Sequence, residues 1–386
     1  MKKVLFFDLL VGGHHTEYVG HLITYFNEHS ISFHPIFVLN TDFFLNRKDL
    51  KDDFEKGNIP FFLVTNQEFR EARLGNILKR SINSFKLLKF YVEKVGADHV
   101  YLMSLNSFQF ALILFRTKFK ISGILFMQFL RLEKIGIKNK INYYRKFLIT
   151  WFVSKNKSIS TIHLLNDSSS CKTLNIIFKT ELFSFLPDPI PIHSKYYTPE
   201  YIIDKYHLPQ NCKLLLHFGT LGDRKGTIEV INSIAHLNDM DVFLFIAGKA
   251  ESVDMEHKIT ESILEQMDRG AQIYYLNEFI EDKLMFGLCH MASIIIIPYK
   301  KSEGSSGLLG HAVVSNTPVL ATSKGLIGSL IHHYNLGNTI NEVNPESISV
   351  EIKKLLERNT YLNKNETFLS ERTPTMFAKT IISCLA

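Results

Sequence analysis

The chain has 386 residues, 46 % of them hydrophobic, which is ample for two cores in domains of roughly 150–200 residues each. Its four cysteines (Cys171, Cys212, Cys289, Cys384) form no CxxC pair, which argues against a disulfide frame or zinc site and for reduced thiols in a cytosolic protein. Net charge is +6 but lopsided: residues 1–190 hold 26 Lys+Arg against 16 Asp+Glu and the remainder 18 against 22, so an anionic partner is expected at the first half.

Met1-Lys2-Lys3 leads into an apolar run that Asp8 and Gly12-Gly13 interrupt, so no signal peptide is expected. No stretch approaches the ~18 uncharged apolar residues of a membrane span, and a soluble or peripheral protein is expected. Strands are predicted at Val4–Phe7, Phe33–Leu39, Pro60–Val64, His99–Met103, Gly123–Met127 and Ile159–Leu165, with helical stretches between them, the longest from about Glu68 to Val95. Such alternation predicts βαβ units and a parallel sheet with helices on both faces. After the first strand, Gly12-Gly13 lets the backbone approach a ligand closely, and Thr16 is read as the cap of the next helix. His14 and His15 are read as ligand donors or as polar loop residues, and Asp52-Asp53 as part of a charged loop with no metal-binding pattern.

Two basic segments follow. Arg73–Lys94 holds six cations against Glu93, and Arg131–Lys157 holds eight against Glu133, interleaved with Tyr143, Tyr144, Phe147, Trp151 and Phe152. Their apolar faces are expected to pack on the sheet, while the surplus cations would attract anionic lipid headgroups or a lipid-diphosphate acceptor. Nucleic acid is not expected as a partner, because no RRM, KH or helix-turn-helix pattern is visible. Pro187-Asp188-Pro189-Ile190-Pro191 breaks both helix and strand and predicts the interdomain linker, continuing to about Pro199. Domains are expected at 1–190 and 200–370, with a helix in 371–386 crossing back to the first.

In the second half strands are predicted at Lys213–Phe218, Asp241–Ala247, Gln272–Leu276, Ser293–Ile297 and Pro318–Thr322. Leu214–Phe218 runs into a glycine turn that carries Arg224 and Lys225 side by side before a helix from Thr227. Free backbone N–H groups and the helix dipole would favour an anion there, and two adjacent cations suit two phosphates better than one carboxylate. It is not a P-loop, since no GxxxxGK[ST] string occurs. A further loop leaves Ile294–Ile297 as Pro298 to Gly310, with Ser305 or Ser306 as helix cap. Amides of Gly307, Leu308 and Leu309 would face a ligand, Glu303 would accept hydrogen bonds from sugar hydroxyls, and His311 would lie about two turns along the same side.

These features resemble the donor-binding domain of retaining glycosyltransferases of family 4, which have the GT-B fold. Lys225-Gly226, Ala247-Gly248, Pro298, Glu303-Gly304 and Thr317-Pro318-Val319 stand in the family's order, and the resemblance runs over about 210–345. In the first half it rests on Gly12-Gly13 and on Leu186-Pro187-Asp188-Pro189. The resemblance implies an α/β protein of two Rossmann-like domains whose parallel sheets face a central cleft. Lys225, helped by Arg224, would bind the donor pyrophosphate. Glu303 would contact the sugar, with Gly304, Ser305, Ser306, Gly307 and Leu308 holding sugar or phosphate, and Gly12-Gly13 would close over the donor. Three departures stand out: the family's second glutamate of E-x7-E is His311 here, its phosphate-turn arginine is Thr220, and the histidine after its fifth strand aligns on Gln128.

The expected function is therefore a retaining, metal-independent transfer from a nucleotide-diphosphate sugar to a cell-surface polysaccharide or lipid-linked glycan. It would need no cofactor and would act as a peripheral protein on the cytoplasmic membrane face. A GT-B-type nucleotide-sugar epimerase, and an inactive sugar-nucleotide-binding partner suggested by Gln128 and His311, stay open beside it.

Overall fold

The computed structural model describes residues 1–12, 14–45, 47–126, 128–132, 134–190, 195–237, 239–300, 307–357 and 365–386. The chain divides into two compact units, Met1–Pro189 with Arg372–Ala386, and Ile190–Glu371.

The first unit is built on β1 (Lys3–Asp8), β2 (His34–Leu39), β3 (Phe61–Leu63), β4 (His99–Leu102), β5 (Lys120–Ile124), β6 (Ile159–Leu165) and β7 (Phe183–Leu186). These pair in the order β3-β2-β1-β4-β5-β6-β7, every pair parallel. Parallel strands need crossovers, and helices cover both sheet faces, as the alternation of β1 shows. Leu5 and Phe7 join one core with Leu102 and Leu125, while Val4 and Phe6 join the other with Phe37 and Tyr101. Four aromatic rings, Phe6, Phe26, Phe33 and Phe37, interlock in the second core, with Phe6 and Phe37 stacked at 4.8 Å.

The second unit has β8 (Lys213–Phe218), β9 (Val242–Ala247), β10 (Ile273–Leu276), β11 (Ile294–Ile297), β12 (Val319–Thr322) and β13 (Gly337–Ile340), in the order β10-β9-β8-β11-β12-β13, again all parallel. The four isoleucines of β11 split evenly, Ile294 and Ile296 to one core and Ile295 and Ile297 to the other. A strand buried on both faces reads as an unbroken apolar run for this reason. In both sheets the strand order reverses beside the first strand, between β1 and β4 and between β8 and β11. Ligands of doubly wound folds bind outside the strand C-termini at that reversal.

Several expectations are corrected. The helix expected over Glu68–Val95 is two helices, Asn66–Ala72 and Ile77–Val95. Gly75 turns the chain at φ +89° and Asn76 caps the second helix, its Oδ1 accepting from the Lys79 amide at 3.0 Å. Thr16 is no cap, because helix His15–Glu28 already begins before it and His14 holds the N-cap position without a side-chain bond. Asp52 and Asp53 lie in helix Asp49–Lys56 and not in a loop.

Strand β5 ends at Ile124, short of the expected Met127, because Phe126 leaves the sheet to stack on Tyr18. Strands β7 and β13 were not anticipated. The first is short and is held by Asn175, which bonds both the N–H and the C=O of Phe183. The second is polar and opens on Gly337 at φ +146°, where a Cβ would sit 2.0 Å from the Val319 carbonyl.

The segment after Glu371 belongs to the first unit. Helix Pro374–Ser383 buries Phe377, Ala378 and Ile381 in the same core as Tyr18 and Leu22, and Phe377 lies 4.8 Å from the Tyr18 ring. Arg372, buried just before that helix, donates from Nε to Asn166 Oδ1 at 3.0 Å.

Candidate functional site

In the second unit the turn after β8 is held by two glycines that no other residue can replace. Gly219 has φ +101°, and a Cβ on Gly248 would lie 1.9 Å from the Gly219 carbonyl oxygen. Strand β8 is anchored to β11 and to the following helix by His217, whose Nδ1 meets the Ile296 carbonyl at 2.9 Å and whose Nε2 meets Thr227 Oγ1 at 3.1 Å. Burial pushes that imidazole down to about 4, so it is a neutral structural tie.

Six backbone N–H groups of this turn are bonded within the unit. The amides of Gly219, Leu221, Lys225 and Gly226 donate to the carbonyls of Ala247, Lys249, Gly222 and Asp223. Those of Gly222 and Asp223 go to Thr227 Oγ1 and Glu251 Oε1. Helix Thr227–Ser233 has only seven residues, so its dipole is modest as well.

Side chains supply positive charge. Lys225 is only 7 % exposed, with Nζ folded back to 3.4 Å from the Phe218 carbonyl. Burial, and then the neighbouring Arg224 guanidinium, push its amine down to about 8. Arg224 and Lys225 both lie over the Tyr299 ring, at 5.0 and 5.5 Å from its centroid. The loop after β11 is thereby tied to the turn after β8, and the Lys300 amide donates to the Arg224 carbonyl at 3.0 Å. Lys300 itself is spent on Asp223 and Glu229, at 2.5 and 2.7 Å. A buried, incompletely neutralised lysine at the sheet's reversal is a ready partner for an anion.

Glu303, Gly304, Ser305 and Ser306 lie outside the described residues, as does Gly13. Gly307 and Leu308 open helix Gly307–Val314, and Leu308 approaches the turn, its Cδ1 lying 3.8 Å from where a Gly219 Cβ would be. His311 is buried on the same helix, edge-on to Phe286 at 4.8 Å and to Phe218 at 6.3 Å.

In the first unit Gly12 has open space around its missing Cβ. His14 meets Glu17 at 2.9 Å, and that hydrogen bond, offset by burial and helped by Asp188, raises its pKa. His15 is buried with Nδ1 at 2.8 Å from Asp8 Oδ2, while Asp8 Oδ1 accepts from the Leu10 amide. That histidine–carboxylate pair at the end of β1 escaped the sequence reading, because seven residues separate the partners. Tyr299 was missed as a platform for the two cations, although it directly follows Pro298.

Gln128 is 4 % exposed and fully engaged: its Nε2 donates to Asp167 and Ser170, and its Oε1 accepts from the Leu130 amide at 2.6 Å. Arg131 adds two bonds to Asp167, at 2.9 and 2.6 Å. This knot joins the loop after β5 to helix Ser168–Phe178.

Two parallel, doubly wound sheets, each with a βα turn at its reversal, define an α/β protein of the GT-B class. A glycosyltransferase from Rickettsia africae shares this fold over 99 % of the present chain and 97 % of its own, at 15 % identity and TM-score 0.68. Anabaena HepE in complex with UDP and glucose does so over 100 % and 99 %, at 16 % identity and TM-score 0.68. WaaG, a glycosyltransferase involved in lipopolysaccharide biosynthesis, matches over 98 % of each chain, at 14 % identity and TM-score 0.65. At such identities the likeness carries the fold. No curated protein matches the chain in sequence. Residues 200–371, most of the second unit, match the family described as glycosyl transferases group 1.

Proposed function

We propose that this protein is a retaining, metal-independent transferase that moves a sugar from a nucleoside-diphosphate sugar to a polysaccharide or lipid-linked glycan. The observation that carries the reading is Lys225: a buried amine with a lowered pKa, beside Arg224 on the Tyr299 ring, at the reversal of the second sheet. The group 1 match over this unit and the UDP complexes of HepE support a nucleotide-sugar donor.

The reaction breaks the bond between the sugar's anomeric carbon and the β-phosphate oxygen while the acceptor oxygen bonds that carbon on the same face. The acceptor's proton passes to the departing phosphate. Lys225 and Arg224 offset the charge growing on that phosphate, which is why no divalent ion is needed. Gln128, with its amide fully engaged, orders the loop after β5 and takes no proton. Glu303 and the amides from Gly304 to Leu308 are assigned to the sugar and phosphate of the donor. The basic first unit faces an anionic membrane on the cytoplasmic side, where such acceptors are assembled.

Lys225→Ala is expected to cut transfer by about 10²–10³-fold with an unchanged circular dichroism spectrum. Unchanged turnover rejects the assignment. Nucleotide binding by the wild-type chain with no turnover on any membrane extract would instead favour an inactive nucleotide-sugar-binding partner, the reading that the locked Gln128 favours.

A further inference from the structure

Helix Ile137–Ser154 has two apolar faces where packing needs one. Tyr143, Thr150, Val153 and Ser154 are buried, and Phe147 packs beside them against Phe129 and Phe178. On the other side Ile137, Ile141, Tyr144, Leu148, Trp151 and Phe152 are between 37 and 79 % exposed. At about 100° per residue these six fall within an arc of about 100°. Lys138 and Arg145 border that arc on one side and Lys140 on the other.

The other basic helix, Ile77–Val95, lacks this arrangement. Its exposed apolar residues Ile77, Leu78 and Phe90 point in directions about 100° or more apart, so they form no stripe. Exposed apolar residues scattered singly need no partner, whereas a contiguous rimmed patch does.

We infer that the exposed face of helix Ile137–Ser154 is a membrane-docking surface that lies in the headgroup region of an anionic phospholipid bilayer. The occupant follows from charge. From Lys134 to Lys157 the sequence holds seven cations and no acidic residue, a poor match to a protein interface, whose centre is depleted of lysine. An apolar stripe edged by cations and carrying Trp and Tyr suits the boundary between headgroups and acyl chains. No helix among the described residues is long and apolar enough to cross a membrane, so the contact is one of lying on the surface. The inference deepens the proposed function by naming the surface that brings the chain to its acceptor, but it does not depend on the donor chemistry.

Trp151 is the only tryptophan in the chain and sits on the stripe, so its emission reads the contact directly. The full chain is titrated with vesicles of phosphatidylcholine alone and of phosphatidylcholine mixed with phosphatidylglycerol. A blue shift is expected with the mixed vesicles and should shrink as salt is raised. Ile141→Glu combined with Leu148→Glu, both at exposed positions, should weaken vesicle partitioning at least about tenfold. The same variant should keep its melting temperature and its affinity for UDP. Two results would overturn the inference: equal vesicle binding by the variant, or a blue shift that follows protein concentration without lipid and so reports self-association. Absence of sugar transfer by the wild type from any nucleoside-diphosphate sugar to a membrane extract would overturn the proposed reaction and leave the docking result standing.

Discussion

At the scale of single residues, Lys225 connects burial to pH. Burial and Arg224 push its amine down to about 8, and a bound diphosphate would raise that value again. Nucleotide affinity should therefore fall as pH climbs through about 8, and binding just above that pH should take up a proton. Calorimetry with UDP in two buffers of different ionisation enthalpy measures this, and a binding heat independent of buffer would contradict it. The sign for stability is the reverse. Because the folded value lies below the ordinary 10.5, the unliganded fold loses stability as pH drops from there toward 8, where the buried amine must carry its charge. Gly248 makes a steric counterpart: with φ +139° and a Cβ only 1.9 Å from a carbonyl, Gly248→Ala should destabilise by more than about 3 kcal/mol, as urea unfolding would show.

At the scale of elements, the knot of Gln128, Arg131 and Asp167 decides how the loop after β5 meets helix Ser168–Phe178. Burial alone would raise the Asp167 pKa, but the bonds from Arg131 and Ser170 outweigh it and hold it below the usual 3.8. A depressed carboxylate stabilises the fold at neutral pH, and that contribution disappears as pH falls through its folded value. Arg131→Ala should strand the Asp167 charge, cost about 3 kcal/mol at neutral pH and move acid unfolding to higher pH. Trp151 emission in a pH titration follows this change. Gln128→His, which restores the residue of the resembled family, would disturb the same knot.

At the scale of the whole molecule, the first unit is discontinuous in sequence. Its core includes Phe377, Ala378, Ile381 and Leu385, more than 180 residues beyond Pro189. Ending the chain at Glu371 should expose Tyr18 and Leu22 and lower the melting transition seen by Trp151, which lies in this unit. The second unit contains none of the deleted residues. A truncated chain with unchanged Trp151 melting would show the last helix to be dispensable.

How much of this was legible beforehand depended on the range of the interactions. Buried parallel strands such as Ile294–Ile297, the glycine turn with Arg224 and Lys225, and the proline-rich break at Pro187 are local patterns, written in hydrophobicity, φ requirements and missing N–H groups. Strands β7 and β13 were not legible, since the one is held by Asn175 and the other by a glycine pressed against β12, contacts with no trace in their own composition. The helix break at Gly75 has a local cue, glycine followed by Asn76, which the strong periodicity on either side hid. The same division holds at the site. Residue types announced a cationic turn, but only packing showed that Tyr299 carries its two cations and that burial had lowered the lysine. Periodicity likewise identified helix Ile137–Ser154 as amphipathic, yet whether a given apolar residue meets a core or water depends on which neighbours the rest of the chain brings to it.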